Sequence, residues 1–160
     1  MEGRSPVAQD QPQLNVGAGR VIIRTCNYPE DYPVILALWG SVGPGVRIGR
    51  SDAPGEIEKK LGRDPDLFLL AEVDGKIVGS VLGGFDGRRG MVYHLAVVPQ
   101  FRQLGVGSLL MEELEIRLRA RGCIRAYLLV TRDNQQAIHF YEQRGWVCMD
   151  YLHTFGKDLT

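Results

Sequence analysis

Residues 92–122 read VYHLAVVPQFRQLGVGSLLMEELEIRLRARG and contain the pattern that decides the fold. Residues 92–98 are mostly apolar, with three valines, and predict a strand. Leucines recur every four residues from Leu110 to Leu118, which predicts the buried face of a helix, and Gly122 follows as a stop signal. The stretch therefore predicts a strand, a loop containing glycines and a helix in succession.

The segments before this stretch predict antiparallel strands. Residues 67–73 and 76–84 are separated by Asp74-Gly75, a two-residue hairpin signal, and residues 85–90 form a second turn. The other predicted elements are a strand at 21–23, helices at 27–39 and 54–61, a strand at 125–131, a helix at 134–144 and a closing strand or hairpin at 146–155.

Chain length and composition predict one domain behind a flexible tail. Residues 1–19 are rich in Gln, Pro, Gly and Ala without periodicity, so we expect a tail there and a single domain over residues 20–160. The chain has 19 basic and 19 acidic residues, which gives no basic field for nucleic acid or an anionic membrane. Three dispersed cysteines indicate neither disulfides nor a metal site, and no apolar run has the length of a membrane span. These features favour a cytoplasmic protein without a metal.

The loop of residues 102–107, RQLGVG, is a candidate phosphate site. It lies where the strand passes into the helix, so free backbone amides and the helix dipole would face an anion there. Gly105 and Gly107 allow a close approach to the backbone, although two glycines can also simply form a tight turn. A dinucleotide fingerprint would need glycine at Leu110, and no Walker A sequence is present.

The same loop resembles the coenzyme loop of the GNAT superfamily of N-acetyltransferases, which reads Arg or Gln, two residues, Gly, one residue, Gly or Ala. A second block that is similar to the family, NQQAIHFYEQRGW at 134–146, follows at the family's usual distance. The resemblance implies a three-layer α/β (α+β) fold. Its mixed sheet would have six to seven strands, an antiparallel N-terminal half and splayed parallel strands at the coenzyme cleft, with about four helices on both faces.

The resemblance also implies an activity and a set of site residues. The activity is transfer of an acetyl group from acetyl-CoA to a primary amine, in a small molecule or a peptide, by direct attack in a ternary complex. Tyr141 matches the general acid that protonates the coenzyme sulfur, although core packing is the alternative role. Asn134 matches a pantetheine contact, and a helix N-cap is its alternative. The coenzyme-binding positions are Ala96, Val97, Val98, Arg102, Gln103, Leu104, Gly105, Val106, Gly107, Ser108, Asn134 and Tyr141.

The residue that takes the proton from the amine is left open by the sequence. Some members of the family carry Glu at positions that match Met91 or Leu129, and both are apolar here. We therefore expect neither a histone-type nor a ribosomal-protein substrate. The remaining candidates are Glu72, taken as the catalytic choice, then Asp86, Tyr93, His94 and an ordered water. A solvated carboxylate is the alternative role for Glu72 and Asp86, and a structural or outward-facing side chain is the alternative for His94.

Acceptor contacts in this family come from the segments that match residues 38–50, 85–90 and 149–155. Trp39, Arg47 and Arg50 would suit an acceptor with an aromatic or carboxylate group. The missing glutamates keep a second function open, a non-catalytic module that binds or senses acyl-CoA. Apolar residues between 146 and 151 leave a homodimer open as well.

Overall fold

The computed structural model of the protein describes residues 13–160. Its strands are β1 (Asn15–Val16), β2 (Gly19–Thr25), β3 (Phe68–Val73), β4 (Lys76–Phe85), β5 (Gly90–Val97) and β6 (Ala126–Leu128). Its α-helices are α1 (Tyr32–Ser41), α2 (Pro54–Arg63), α3 (Val106–Ala120) and α4 (Gln135–Glu142), with short 3-10 turns at Arg50–Asp52 and Pro99–Phe101. The chain divides into two compact units at Leu129 and Val130.

The first unit contains one mixed sheet whose strands lie in sequence order, β1 to β6. Neighbouring strands are antiparallel up to β5, and β6 pairs parallel to β5. The predicted mixed sheet with an antiparallel N-terminal half is confirmed. Asp74 and Gly75 join β3 to β4 and both have positive φ, as expected for the hairpin turn that the sequence indicated.

Two helical layers cover opposite faces of this sheet. On one face, the α1 side chain Trp39 stacks on Phe68 of β3 and donates a hydrogen bond to Ser80 of β4 at 2.9 Å. On the other face, α3 packs so closely that a Cβ placed at Gly83 would lie 2.4 Å from a methyl carbon of Leu114. Ser80 and Gly83 face different layers because successive β residues alternate between faces. The predicted three-layer architecture is therefore confirmed.

The predicted tail ends earlier than Gly19. Asn15–Val16 pair with Gly19 and Arg20 of β2, and the Val21 amide donates a 2.8 Å hydrogen bond to the Leu14 carbonyl. The sheet therefore begins before Arg20. The predicted flexibility of residues 1–12 lies outside the described residues and stays a prediction.

The second unit contains α4 and the residues that follow it. The predicted closing strand or hairpin at 146–155 is wrong, because no strand forms in residues 146–160. Val147 is 81% exposed and Phe155 is 92% exposed, so these apolar residues face solvent in this unit. A run of strand-forming residues becomes a strand only when a neighbouring strand satisfies its backbone, and none does so here. The single domain over residues 20–160 stays a prediction.

Candidate active site

The candidate phosphate loop has the backbone of an anion cradle. It follows the 3-10 turn at Pro99–Phe101 and ends at Gly105, the N-cap of α3, which has a φ of 91°. Gln103 also has a positive φ, 60°, so two residues of the loop are left-handed before the helix begins. Glycine fits the left-handed conformation at Gly105 without the steric cost that a Cβ would add.

The amides of this cradle are not used by the protein. None of the backbone N–H groups from Gln103 to Ser108 donates a hydrogen bond to another group of residues 13–160. The first amides of a helix lack partners inside the helix, and the helix dipole makes that end positive. The cradle therefore offers free amide donors to a phosphate or another anion.

Arg102 holds the cradle against the sheet. Its Nε donates a 2.9 Å hydrogen bond to the Val97 carbonyl, and a terminal guanidinium nitrogen donates to the Val42 carbonyl at 3.0 Å. Two of its donors are thus engaged with backbone, and the side chain ties the end of β5 to the segment after α1. The main contribution of Arg102 is therefore to hold the loop in position, and its positive charge lies beside the cradle.

The edge of β5 next to the cradle is open. β5 pairs with β6 only through Gly90, Met91 and Val92, whereas β5 itself continues to Val97. From Tyr93 onward no strand of residues 13–160 pairs with this edge. An extended ligand with amide groups, such as a pantetheine arm, matches an open strand edge. Ala96 and Val97, two predicted coenzyme contacts, lie on this open part of β5, and Val98 follows it.

A β-bulge interrupts β5 in the same region. The pairing with β4 shifts between Ser80, opposite Ala96, and Leu82, opposite Tyr93, so β5 has one extra residue there. His94 has a φ of 48° within this bulge. The extra residue lets the neighbours Tyr93 and His94 face the same helical layer, where alternation would have separated them.

His94 is fixed by contacts from three elements. Its Nε2 lies 2.7 Å from Oδ1 of Asp52, and its ring centroid lies 4.6 Å from that of Trp39. The Ser80 hydroxyl, which accepts the Trp39 indole N–H, lies 3.5 Å from the His94 carbonyl oxygen. His94 is one of the candidate bases predicted from the sequence, whereas Asp52 lies in a stretch without a pattern and was not predicted.

A cleft opens on the same face as Tyr93. It has a volume of about 590 Å³ and extends between α2, the β4–β5 turn and the start of β5. Burial raises the pKa of the Tyr93 phenol, and burial lowers the pKa of the Lys60 ammonium despite its hydrogen bond with Asp64. The other residues that line the cleft include Arg63, Phe85, Asp86, Arg89, Met91 and Tyr127. The predicted acceptor segment at 85–90 thus lines an open cleft.

The other predicted bases lie in structural hydrogen bonds. Glu72 accepts a 2.8 Å hydrogen bond from Arg24 of β2, and β4 separates its strand from β5. The structure therefore does not bring Glu72 to the coenzyme strand. Asp86 accepts the amides of Arg89 and Arg88 in its turn, and these bonds lower the pKa of the Asp86 carboxyl.

The predicted acceptor contact at Trp39 is corrected by its burial. Trp39 is 1% exposed and packs inside the α1 layer, so it supports the site from within rather than offering a surface to a ligand. The sequence alone does not show whether Trp39 is buried or exposed, and the prediction that it contacts the acceptor was wrong for that reason.

The second unit contains the other two predicted site residues. The Asn134 side-chain oxygen accepts a 3.1 Å hydrogen bond from the Ala137 amide, so Asn134 is the N-cap of α4. Its amide nitrogen makes no hydrogen bond within the described chain. Tyr141 packs edge-on against Phe140 and Trp146, and burial raises the pKa of its phenol to about 12. The phenol is therefore fully protonated near neutral pH.

Two further properties concern residues 13–160 alone. No group of three or more His, Cys, Asp or Glu side chains among them is arranged to hold a metal ion. Nor do the helices of this part of the chain include one with the length and apolarity needed to span a membrane.

Comparison with known proteins identifies the family. Residues 36–146 match the profile of the Acetyltransferase (GNAT) family. An acetyltransferase of Pectobacterium atrosepticum is 43% identical over 130 residues, which cover 81% of this chain and 90% of the relative.

Solved structures agree with this assignment. Ard1 from Thermoplasma volcanium is 26% identical, with a TM-score of 0.66 over 79% of this chain and 82% of Ard1. N-acetylglutamate synthase from Neisseria gonorrhoeae, solved with coenzyme A and N-acetyl-glutamate, is 25% identical, with a TM-score of 0.61 over 77% of this chain and 27% of the synthase. The chain therefore belongs to the GNAT family and is an acetyl-CoA-dependent acetyltransferase.

Proposed function

We propose that the protein transfers the acetyl group of acetyl-CoA to a primary amine, in a small molecule or a peptide, by direct attack in a ternary complex. The observation that carries this proposal is the row of unused amides from Gln103 to Ser108 at the end of a strand with an open edge. A cradle of that kind suits the pyrophosphate of coenzyme A, and the open edge suits its pantetheine arm. The coenzyme A bound by the Neisseria synthase supports the same ligand here.

In this mechanism the chain binds, orients and moves protons. The cradle holds the phosphates, and the backbone of Ala96, Val97 and Val98 bonds the pantetheine and the acetyl carbonyl. The amine nitrogen then forms a bond to the thioester carbonyl carbon while the carbon–sulfur bond breaks. We assign the proton that the departing thiolate takes up to the Tyr141 hydroxyl, because its position matches the general acid of the family; the phenol is protonated near neutral pH.

The cleft beside Tyr93 is the proposed place of the acceptor. It lies on the same face as the bulge in β5 and contains aromatic rings together with cations, including Arg89, whose guanidinium lies 5.5 Å from the Tyr127 ring centroid. These groups suit an acceptor that carries an aromatic or carboxylate group besides its amine.

The three free cysteines, Cys26, Cys123 and Cys148, support a reducing, cytoplasmic setting.

The test is release of coenzyme A thiol from acetyl-CoA in the presence of amino acids, peptides, polyamines and aminoglycosides, each with a control that lacks the amine. We expect release that depends on one class of amine, with the acetylated amine as the second product. Tight binding of acetyl-CoA without release in any arm would contradict the proposal. That result would favour the alternative function, a module that senses acyl-CoA.

A further inference from the structure

We propose that His94, oriented by Asp52, is the base that removes the proton from the acceptor amine. The proposal rests on the proposed amine transfer and assigns the step that the sequence left open. An amine must lose a proton to form the amide, and the usual glutamates are absent from Met91 and Leu129. The pair His94 and Asp52 joins two residues that are 42 positions apart in the chain.

Asp52 is a fixed and buried carboxylate. It is 5% exposed, and it ends the 3-10 turn at Arg50–Asp52. Its Oδ2 accepts the Gly49 amide at 2.8 Å, and its backbone carbonyl accepts the Tyr32 hydroxyl at 2.8 Å. Oδ1 is left to face His94, so the carboxylate has one defined partner for each oxygen. Such a carboxylate fixes the ring orientation and the tautomer of a histidine.

The second nitrogen of His94 is available to a ligand. Nδ1 makes no hydrogen bond to any group of residues 13–160, and no buried side-chain nitrogen or oxygen of the described chain lacks a partner. Nδ1 must therefore reach solvent, in agreement with the 18% exposure of the His94 side chain. A carboxylate accepts the proton of Nε2, so the lone pair lies on Nδ1, the nitrogen that can take a proton from outside.

The position of His94 along β5 suits this role. The bulge turns His94 to the face of Tyr93, which lines the acceptor cleft. Two residues later Ala96 begins the strand edge assigned to the acetyl carbonyl. The Trp39 ring packs against the imidazole with a centroid distance of 4.6 Å. Along β5, His94 thus lies between Tyr93, the last strand residue that lines the cleft, and Ala96, where the edge assigned to the acetyl carbonyl begins.

The proton balance of the step is complete. The neutral form of the amine attacks: its nitrogen bonds the carbonyl carbon, and Nδ1 of His94 takes the one proton that this nitrogen loses on forming the amide. The imidazolium that results is stabilised by the negative charge of Asp52 on the other nitrogen. The carbon–sulfur bond breaks, and the thiolate takes a proton from its own donor, assigned above to Tyr141. No oxidant, reductant or metal is required.

The first test compares transfer rates of three variants with the wild-type protein. His94→Gln should lower kcat by about 100-fold, the usual scale of general-base catalysis, with the acetyl-CoA dissociation constant unchanged. Asp52→Asn should lower kcat as well, because the new amide would donate to Nε2 and force the proton onto Nδ1. The control His139→Gln replaces an exposed histidine of α4 and should keep the wild-type rate.

The second test reads the tautomer of His94 directly by nitrogen NMR of the imidazole. We expect the Nε2–H form in the wild-type protein and the Nδ1–H form in Asp52→Asn, which would show that Asp52 sets the tautomer. The fall in kcat of the same variant then connects that tautomer with the rate. An Nδ1–H form in the wild type would overturn the proposal. If the wild-type protein acetylates an amine and His94→Gln has the same kcat, the role of His94 is overturned. The proposed amine transfer would remain intact in that case. A wild type that acetylates no amine would overturn both.

Discussion

The cradle before α3 gives the sharpest test of coenzyme binding. Gly105→Ala places a Cβ in a left-handed backbone, where the new atom would lie 3.4 Å from the Leu14 side chain. The left-handed conformation costs a residue with a Cβ roughly 1–2 kcal/mol. If the loop relaxes to escape that cost, its amides lose their common direction. We therefore expect the dissociation constant for coenzyme A to rise by about tenfold, the equivalent of about 1.4 kcal/mol.

Gly122→Ala is the matched control. Gly122 lies after the other end of α3 with a φ of 83°, and a Cβ there would meet nothing within 4 Å. Both variants should lose a similar free energy of unfolding in urea, roughly 1–2 kcal/mol. Isothermal titration calorimetry with coenzyme A should separate them, because only Gly105 belongs to the cradle. Equal affinities for the two variants would refute the assignment of the phosphates to this loop.

Three other predictions concern single side chains. Tyr141→Phe should lower turnover and leave coenzyme A affinity nearly unchanged, as measured by thiol release and calorimetry; unchanged turnover would remove the phenol from the mechanism. Arg102→Ala loses hydrogen bonds to the Val97 and Val42 carbonyls, so the free energy of unfolding should fall by about 1 kcal/mol or more in urea, and coenzyme A should bind more weakly. Glu72→Gln should keep kcat and lose less than about 1 kcal/mol of stability, because its partly exposed ion pair with Arg24 is structural; a large fall in kcat would return Glu72 to the list of bases.

The elements predicted correctly are those with local signals. Asp74-Gly75 fixes a hairpin by itself, and the leucines of α3 repeat on one helical face regardless of what they pack against. The loop before α3 was also predictable, because Gly105 and Gly107 mark the passage from a recognisable strand into a recognisable helix. Residues 92–122 alone are therefore enough to predict the strand, the loop and the helix of this part of the site.

The start of α1 shows a limit of local signals. The sequence places it at Asn27, whereas the helix begins at Tyr32. Asp31 accepts the Asn27 amide at 2.7 Å and also binds Arg24 of β2, so a contact from the neighbouring strand decides where the helix begins. The same limit explains the missing strand at 146–155. The strand propensity of a segment does not show whether another strand lies beside it to pair with its backbone.

The pair of His94 and Asp52 could not be predicted for a related reason. No pattern marks Asp52, and period-two alternation along β5 would turn either Tyr93 or His94 away from the acceptor face. The bulge removes that conflict, and only the pairing of β5 with β4 reveals it. The positive φ of His94 in this bulge has a conformational free-energy cost that a regular strand does not have. That cost is offset by the carboxylate of Asp52 and the ring of Trp39, and the same two contacts leave one nitrogen of His94 directed outward. Backbone strain of this kind occurs often at functional sites, and the proposed role of His94 as the base gives this bulge such a function.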